Sequence, residues 1–137
     1  MNLTQNFTLE ELIASENAKR RNINNTPDPE QIKNLKRLCR EILQPIRDRL
    51  QRPLIITSGF RSPELNKVVG GAKTSQHQDG EAADIVCYDN IRLWEIILDM
   101  LNKEEISVGQ LIDEKDLRWI HISLPTKKIK NQILKIK

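Results

Sequence analysis

Two histidines and one aspartate carry the most chemistry in this sequence. The chain has 137 residues and no histidine besides His77 and His121. His77 lies in the run Ser75-Gln76-His77-Gln78-Asp79-Gly80-Glu81-Ala82-Ala83-Asp84. Gly80 permits a sharp turn, which would fold His77 back over Asp84, and Ala82 and Ala83 are small enough for that turn to lie close against its neighbours. Imidazole and carboxylate are two of the standard zinc ligand types. His121 lies in Arg118-Trp119-Ile120-His121-Ile122-Ser123. Alternation sends Ile120, Ile122 and Leu124 to a packed face and Trp119, His121 and Ser123 to the opposite one, where a histidine can reach a cleft. Taken singly, each motif also has a plainer reading: a chance His/Asp pair, and a surface histidine beside a tryptophan.

Positioning these residues requires a mixed set of elements. Phe7–Leu12 opens a short helix, with Thr8 as N-cap and Glu11 at the capping-box position. Asn22–Asp28 reads as a loop. Asp28 and Pro29 then start a long helix whose apolar residues recur at Ile32, Leu35, Leu38, Cys39, Ile42, Leu43, Ile46 and Leu50. Pro45 inside that pattern should bend it. Leu54–Thr57 is a short β-branched strand, and Ser62-Pro63-Glu64 starts a helix that ends at Gly70-Gly71. Ala82–Cys87 is a second strand. Asn90 caps a helix through Leu101 with Ile91, Trp94, Ile97, Leu98 and Leu101 as its core stripe. Val108–Asp113 and Leu117–Leu124 pair as strands across a tight turn at Glu114–Asp116, and Gln132–Ile136 adds an edge strand. Helices first and antiparallel strands later predict an α+β class: a small antiparallel sheet flanked by helices. The whole chain, 1–137, is read as one domain, with 1–28 an N-terminal helix and loop packed on it.

Composition narrows the function. Apolar residues make up 38% and charged residues 30%, a globular balance rather than a disordered or membrane one, so no stable membrane insertion is expected. Aromatics at 4% argue against a base-stacking nucleic-acid module. The first ten residues carry no signal-peptide pattern, which predicts a protein that is cytoplasmic as synthesised. Charge is unevenly spread. From Leu117 onward there are six basic residues and no acid, whereas sixteen basic residues face nineteen acidic ones in 1–116, a net of −3 there against +3 for the chain. The basic strip is read as a solvated end, or as a contact for nucleic acid, anionic lipid or a polyanionic cell wall. Cys39 and Cys87 read as small hydrophobes.

Ser58-Gly59-Phe60-Arg61-Ser62, Asn66, Gly70-Gly71, the Ser75–Asp84 run and Trp119-Ile120-His121, in that order, resemble the M15 peptidase family. Its members are zinc D-alanyl-D-alanine carboxypeptidases and related peptidoglycan endopeptidases of the hedgehog/DD-peptidase fold. The resemblance covers nearly the whole chain. It implies His77, Asp84 and His121 as ligands of Zn2+, with a fourth position open to water, which is the catalytic arrangement. Zinc lowers the pKa of such a water toward about 7 and polarises the scissile carbonyl. The resemblance also implies Arg61 near the metal, binding a substrate oxygen or the developing oxyanion, a role suited to a permanently charged planar fork. The alternative for Arg61 is a salt bridge to a nearby acid. Ser75 either hydrogen-bonds within the site or to substrate, or only shapes the loop before His77. Trp119 and Gln110 are further substrate contacts on the face of His121.

One position departs from the family pattern. Many members place a carboxylate three residues before the last histidine, as general base, and here that residue is Arg118. Asp116 shares parity with Ile120 and should face away. If Val108–Asp113 pairs with Leu117–Leu124, then Gln110, Ile112 and Glu114 share the face of His121. Glu114 is therefore the expected base, with a plain turn residue as its other reading and Asp79 and Glu81 as fallbacks. The resulting expectation is a monomeric zinc metallopeptidase that cuts amide bonds of peptidoglycan stem peptides. It would be either a phage-type lysin released to the wall or a cytoplasmic dipeptidase. The rival is a non-catalytic zinc-containing module for wall binding or virion structure.

Overall fold

A computed structural model describes all residues, 1–137. Helices α1 (Leu9–Ile13) and α2 (Glu16–Arg20) come first, and Thr8 and Glu11 form the expected capping box on α1. The short α2, capped by Ser15, has no counterpart in the sequence reading; its five residues are too few to show a periodicity. Helix α3 (Pro29–Leu38) starts at Asp28, whose side chain accepts from Gln31 N while the Gln31 side chain accepts from Asp28 N. Helix α4 (Gln44–Leu50) continues it through a π-helical turn, Cys39–Leu43.

That turn is how the chain accommodates Pro45. A proline ring collides with the carbonyl four residues earlier and offers it no N–H. Widening the preceding turn, so that Gln44 N bonds Cys39 O, carries the chain past Pro45 without breaking the helix. The apolar stripe survives intact: Leu35, Leu38, Cys39, Ile42, Leu43 and Ile46 are fully buried.

Five strands follow: β1 (Ile55–Ser58), β2 (Ala82–Val86), β3 (Gln110–Glu114), β4 (Trp119–Ser123) and β5 (Gln132–Ile136), in the spatial order β1-β2-β4-β3-β5. Helix α5 (Pro63–Val68) lies between β1 and β2, and α6 (Asn90–Asn102) between β2 and β3. The α+β class is as expected. The sheet is mixed rather than purely antiparallel, because β5 runs parallel to β3 while the other three pairings are antiparallel. The connection from β4 to β5 stays at one end of the sheet and crosses the start of β3, where Gly109 N donates to Ser123 O and Gln132 N to Gly109 O, so β5 reverses relative to β4 and runs parallel to β3.

One sheet face packs against the helices. Ala83, Ile85, Leu111, Ile120 and Ile122 join Leu3, Phe7 and Leu12 of the N-terminal segment, the α3–α4 stripe and α6 in one core. In α6 the buried stripe is Leu93, Ile96, Ile97 and Met100, with Trp94, Leu98 and Leu101 partly buried; Ile91, expected in the core, is 64% exposed. Asp89, not Asn90, caps this helix. Asn90 is employed elsewhere: its Oδ1 accepts from Cys87 N, and its Nδ2 donates to Leu117 O in the β3–β4 turn. Both cysteines are free thiols, and burial pushes that of Cys39 up to about 12.

The other face of the sheet carries the chemistry, and register aligns it. Ser58 pairs with Asp84, Asp84 with His121, His121 with Ile112, and Ile112 with Leu134, so one row crosses all five strands. Gly80 makes the turn that delivers His77 to this row. It has φ +75°, and a Cβ there would lie 2.5 Å from the carbonyl oxygen of Gln31. Helix α3 also buttresses this loop, with Gln31 Nε2 donating to Gln78 O and Asn34 Nδ2 to Asp79 O. Gly80→Ala is expected to destabilise the fold by about 2–4 kcal/mol, combining left-handed strain with a backbone clash. Urea unfolding of the variant measures it.

Candidate metal centre and active-site cleft

His77 sits in a single 3-10 turn, Gln76–Asp79, between Ser75 as cap and Gly80. The loop after β1 fixes it from two sides. Its ring Nδ1 lies 2.7 Å from Gly59 O, and its carbonyl accepts from Arg61 N at 3.0 Å. Gly59 lets this loop lie against α1, since a Cβ there would stand 2.1 Å from Leu12 O, to which Phe60 N donates. With Nδ1–H donated to a backbone carbonyl, Nε2 presents its lone pair to the cleft, an arrangement that orients a metal-binding imidazole.

The three donors converge. His77 Nε2 lies 3.2 Å from His121 Nδ1 and 3.3 Å from Asp84 Oδ1, and His121 Nδ1 lies 3.2 Å from Asp84 Oδ1. A tetrahedral site with metal–ligand bonds of about 2.0–2.1 Å has edges of about 3.3–3.4 Å, so the donor set fits a small tetrahedral cation in both chemistry and spacing. The remaining ring nitrogen of His121, Nε2, is buried without a partner, which leaves Nδ1 as the nitrogen facing the other two ligands. Burial opposes ionisation of Asp84, but hydrogen bonds and charge from His121 and His77 outweigh it and hold the carboxyl well below the usual range.

Arg61 packs against the outer oxygen of the same carboxylate. Its Nη2 lies 3.3 Å from Asp84 Oδ2, its Nη1 donates to Asn66 Oδ1 at 3.3 Å, and its Nε donates to Ser58 Oγ at 3.0 Å. The salt-bridge alternative is thus realised, and Asp84 is its partner. Guanidinium has five N–H donors; three are engaged, which leaves two for a substrate. Burial lowers the Arg61 pKa, while Asp84 and Glu114 act to raise it. Arg61→Lys is expected to fold but to reduce turnover about 10–100-fold, because an ammonium cannot hold three divergent acceptors in one plane. The kcat/KM on a peptide substrate, read beside the melting temperature, checks this.

All eight residues singled out in the sequence line one cleft of about 380 Å3: His77, Asp84, His121, Arg61, Ser75, Gln110, Glu114 and Trp119. Glu114 pairs with Trp119 across β3 and β4. Burial raises its pKa, helped by the charge of Asp84 and opposed by His121. Gln110 Nε2 donates to Gln132 of β5, and Ser75 Oγ accepts from His77 N, so Ser75 shapes the loop as well as lining the cleft. The other acids are out of reach. Asp113 is buried and accepts from Leu117 N at 2.7 Å, the Asp116 side chain is 79% exposed, and Asp79 and Glu81 line no part of the cleft. Arg118, at the usual carboxylate position, is exposed, outside it.

Sequence reasoning gave no role to Ser58 and Asn66, which hold Arg61, or to Gln76. Gln76 Nε2 donates to Leu124 O and its Oε1 is buried without a partner. Asn66 carried a signal, as a polar residue on the buried side of a short helix, but its partner is set by the fold of the Gly70-Gly71 loop.

No protein of curated function matches the chain. Residues 5–123 match the family model described as Peptidase M15. The match includes both histidines and runs to the last residue of the strand that carries the second, and on this ground the chain belongs to the peptidase M15 family.

Proposed function

We propose that the chain is a zinc metallopeptidase that hydrolyses amide bonds of peptidoglycan stem peptides, next to a D-alanine, as a carboxypeptidase or an endopeptidase. The observation that carries this reading is the placement of three donors, 3.2–3.3 Å apart, in the same cleft as a carboxylate and a guanidinium. A zinc ion held by these donors would supply a Lewis acid for the scissile carbonyl and lower the pKa of an attacking water.

The chain's own residues do the rest. Glu114 accepts the proton of the attacking water at a carboxylate oxygen and returns it to the leaving amine nitrogen as the C–N bond breaks. A carboxyl raised by burial suits both steps, being a stronger base than an exposed one and a competent acid once protonated. The two unengaged N–H groups of Arg61 donate to the carbonyl oxygen as charge develops on it. Trp119, Ile112 and Ile129 wall the cleft with apolar surface, and Ser75 and Gln110 offer polar contacts to a peptide backbone. The protein works as a monomer and as one domain in this account.

The test is mass spectrometry of purified peptidoglycan after incubation with zinc-loaded protein. New stem-peptide ends are expected, and their masses identify the bond. Intact walls of several chemistries, with zinc bound, would instead favour the non-catalytic wall-binding or virion module.

A further inference from the structure

The last 14 residues, 124–137, lie beyond the part matched by the family model. They add strand β5 to the sheet edge, and their charged residues are all cations, Lys127, Lys128, Lys130, Lys135 and Lys137, with Arg118 in the β3–β4 turn near the far end of β5. All six are exposed. Only Lys135 has an acidic partner, Asp116 at 3.9 Å. We infer that this edge is a binding strip for a linear phosphodiester polyanion of the cell wall, which holds the protein beside its substrate.

Three features argue for a linear polymer at this place. First, the cations are strung out rather than clustered. Lys127, Lys128 and Lys130 stand at one end of β5 and Lys135, Lys137 and Arg118 at the other, separated by roughly 13 Å of strand at about 3.3 Å per residue. A single phosphate group could touch only one end. Second, the rest of the molecule is net negative, so a polyanion is attracted here and repelled elsewhere. Third, the strip is joined to the cleft. Thr126 Oγ accepts from Lys128 N and Ile129 N, and Thr126 N donates to Ile129 O. This turn directs Ile129 into the cleft wall while its flanking lysines face solvent.

A membrane surface fits less well. The exposed apolar residues of β5 alternate, Leu134 and Ile136 on the cleft face and Ile133 on the helix face beside Leu98 and Leu101, so no one plane presents them together. Duplex DNA lacks the link to a peptidase cleft. The choice of polymer rests on the proposed wall substrate, but binding is measurable without hydrolysis.

The experiment compares sedimentation of the chelated, inactive protein with wall sacs before and after acid extraction of their phosphodiester polymer. Retention on intact sacs is expected to fall at least tenfold after extraction, and between about 50 and 200 mM salt. Replacing Lys127, Lys128 and Lys130 by Gln is expected to lower affinity at least tenfold, with kcat/KM on a short soluble peptide unchanged. A control that removes the same charge elsewhere, Lys19, Lys33 and Lys36 to Gln, is expected to bind as before. Equal binding to extracted sacs, an equal loss in the control, or tighter binding to duplex DNA or anionic vesicles than to intact sacs would overturn the inference. Wall binding without hydrolysis in the zinc-loaded protein would leave it standing and sink the peptidase reading instead.

Discussion

His121→Ala is expected to yield a folded protein that holds no stoichiometric zinc and cleaves wall peptide at least about 10³-fold more slowly. The magnitude follows from the several kcal/mol that a catalytic metal contributes, at about 1.36 kcal/mol per decade of rate. His121 is the cleaner of the two histidine variants. Its ring makes no hydrogen bond outside the cluster, with Nδ1 facing Asp84 and His77 and Nε2 unpartnered. His77→Ala removes the Nδ1 bond to Gly59 O as well, so the same metal loss should be accompanied by a lower melting temperature. Elemental analysis beside the rate separates the effects. Stoichiometric metal in both variants would remove His77 and His121 from the ligand set.

Glu114→Gln is expected to keep both zinc and fold while losing about 10²–10⁴-fold in rate, the usual contribution of a positioned carboxylate to proton transfer. The amide is nearly the same shape and cannot accept the proton. Glu114 makes no side-chain ion pair that the change would break, and it is half-buried at the end of β3. Near-normal rates would move the role elsewhere, although the remaining acids are capping a turn, exposed to solvent or outside the cleft. A second signature is the acid limb of the pH–rate profile. Burial raises the Glu114 pKa in the metal-free cleft and a bound cation would act in the opposite sense, so the expected signature is that the acid limb shifts or disappears in Glu114→Gln.

The sequence made the faces of the strands legible, but not the order of the strands. Parity alone placed Trp119 and His121 on the side opposite Ile120, and Gln110 and Glu114 with them, because a two-residue period leaves no other choice once one face is apolar. Parity cannot say that β4 lies between β2 and β3; that follows from α6 crossing the sheet and fixes Asp84 beside His121. The same limit explains β5. Its residues are exposed on both faces, so its pattern identified a strand but gave no partner or direction. The α3–α4 helix was visible through its stripe, but the widened turn by which it accommodates Pro45 was not, because a turn of that kind has no pattern of its own in the sequence. In α6 the error has a side-chain cause: two adjacent residues, Asp89 and Asn90, are both good caps, and the fold uses Asn90 as a tether. Arg61 was legible as a site residue but not as the partner of Asp84, because their contact joins residues 23 positions apart.

The most direct test of the account is a zinc titration of the metal-free protein, with release of amino groups from purified peptidoglycan as the readout. The rate should be zero without metal, rise in proportion to added zinc, and saturate at one equivalent, with His121→Ala giving no rise at any concentration. Hydrolysis that persists in the metal-free protein, or saturation by zinc with no hydrolysis at all, would contradict it.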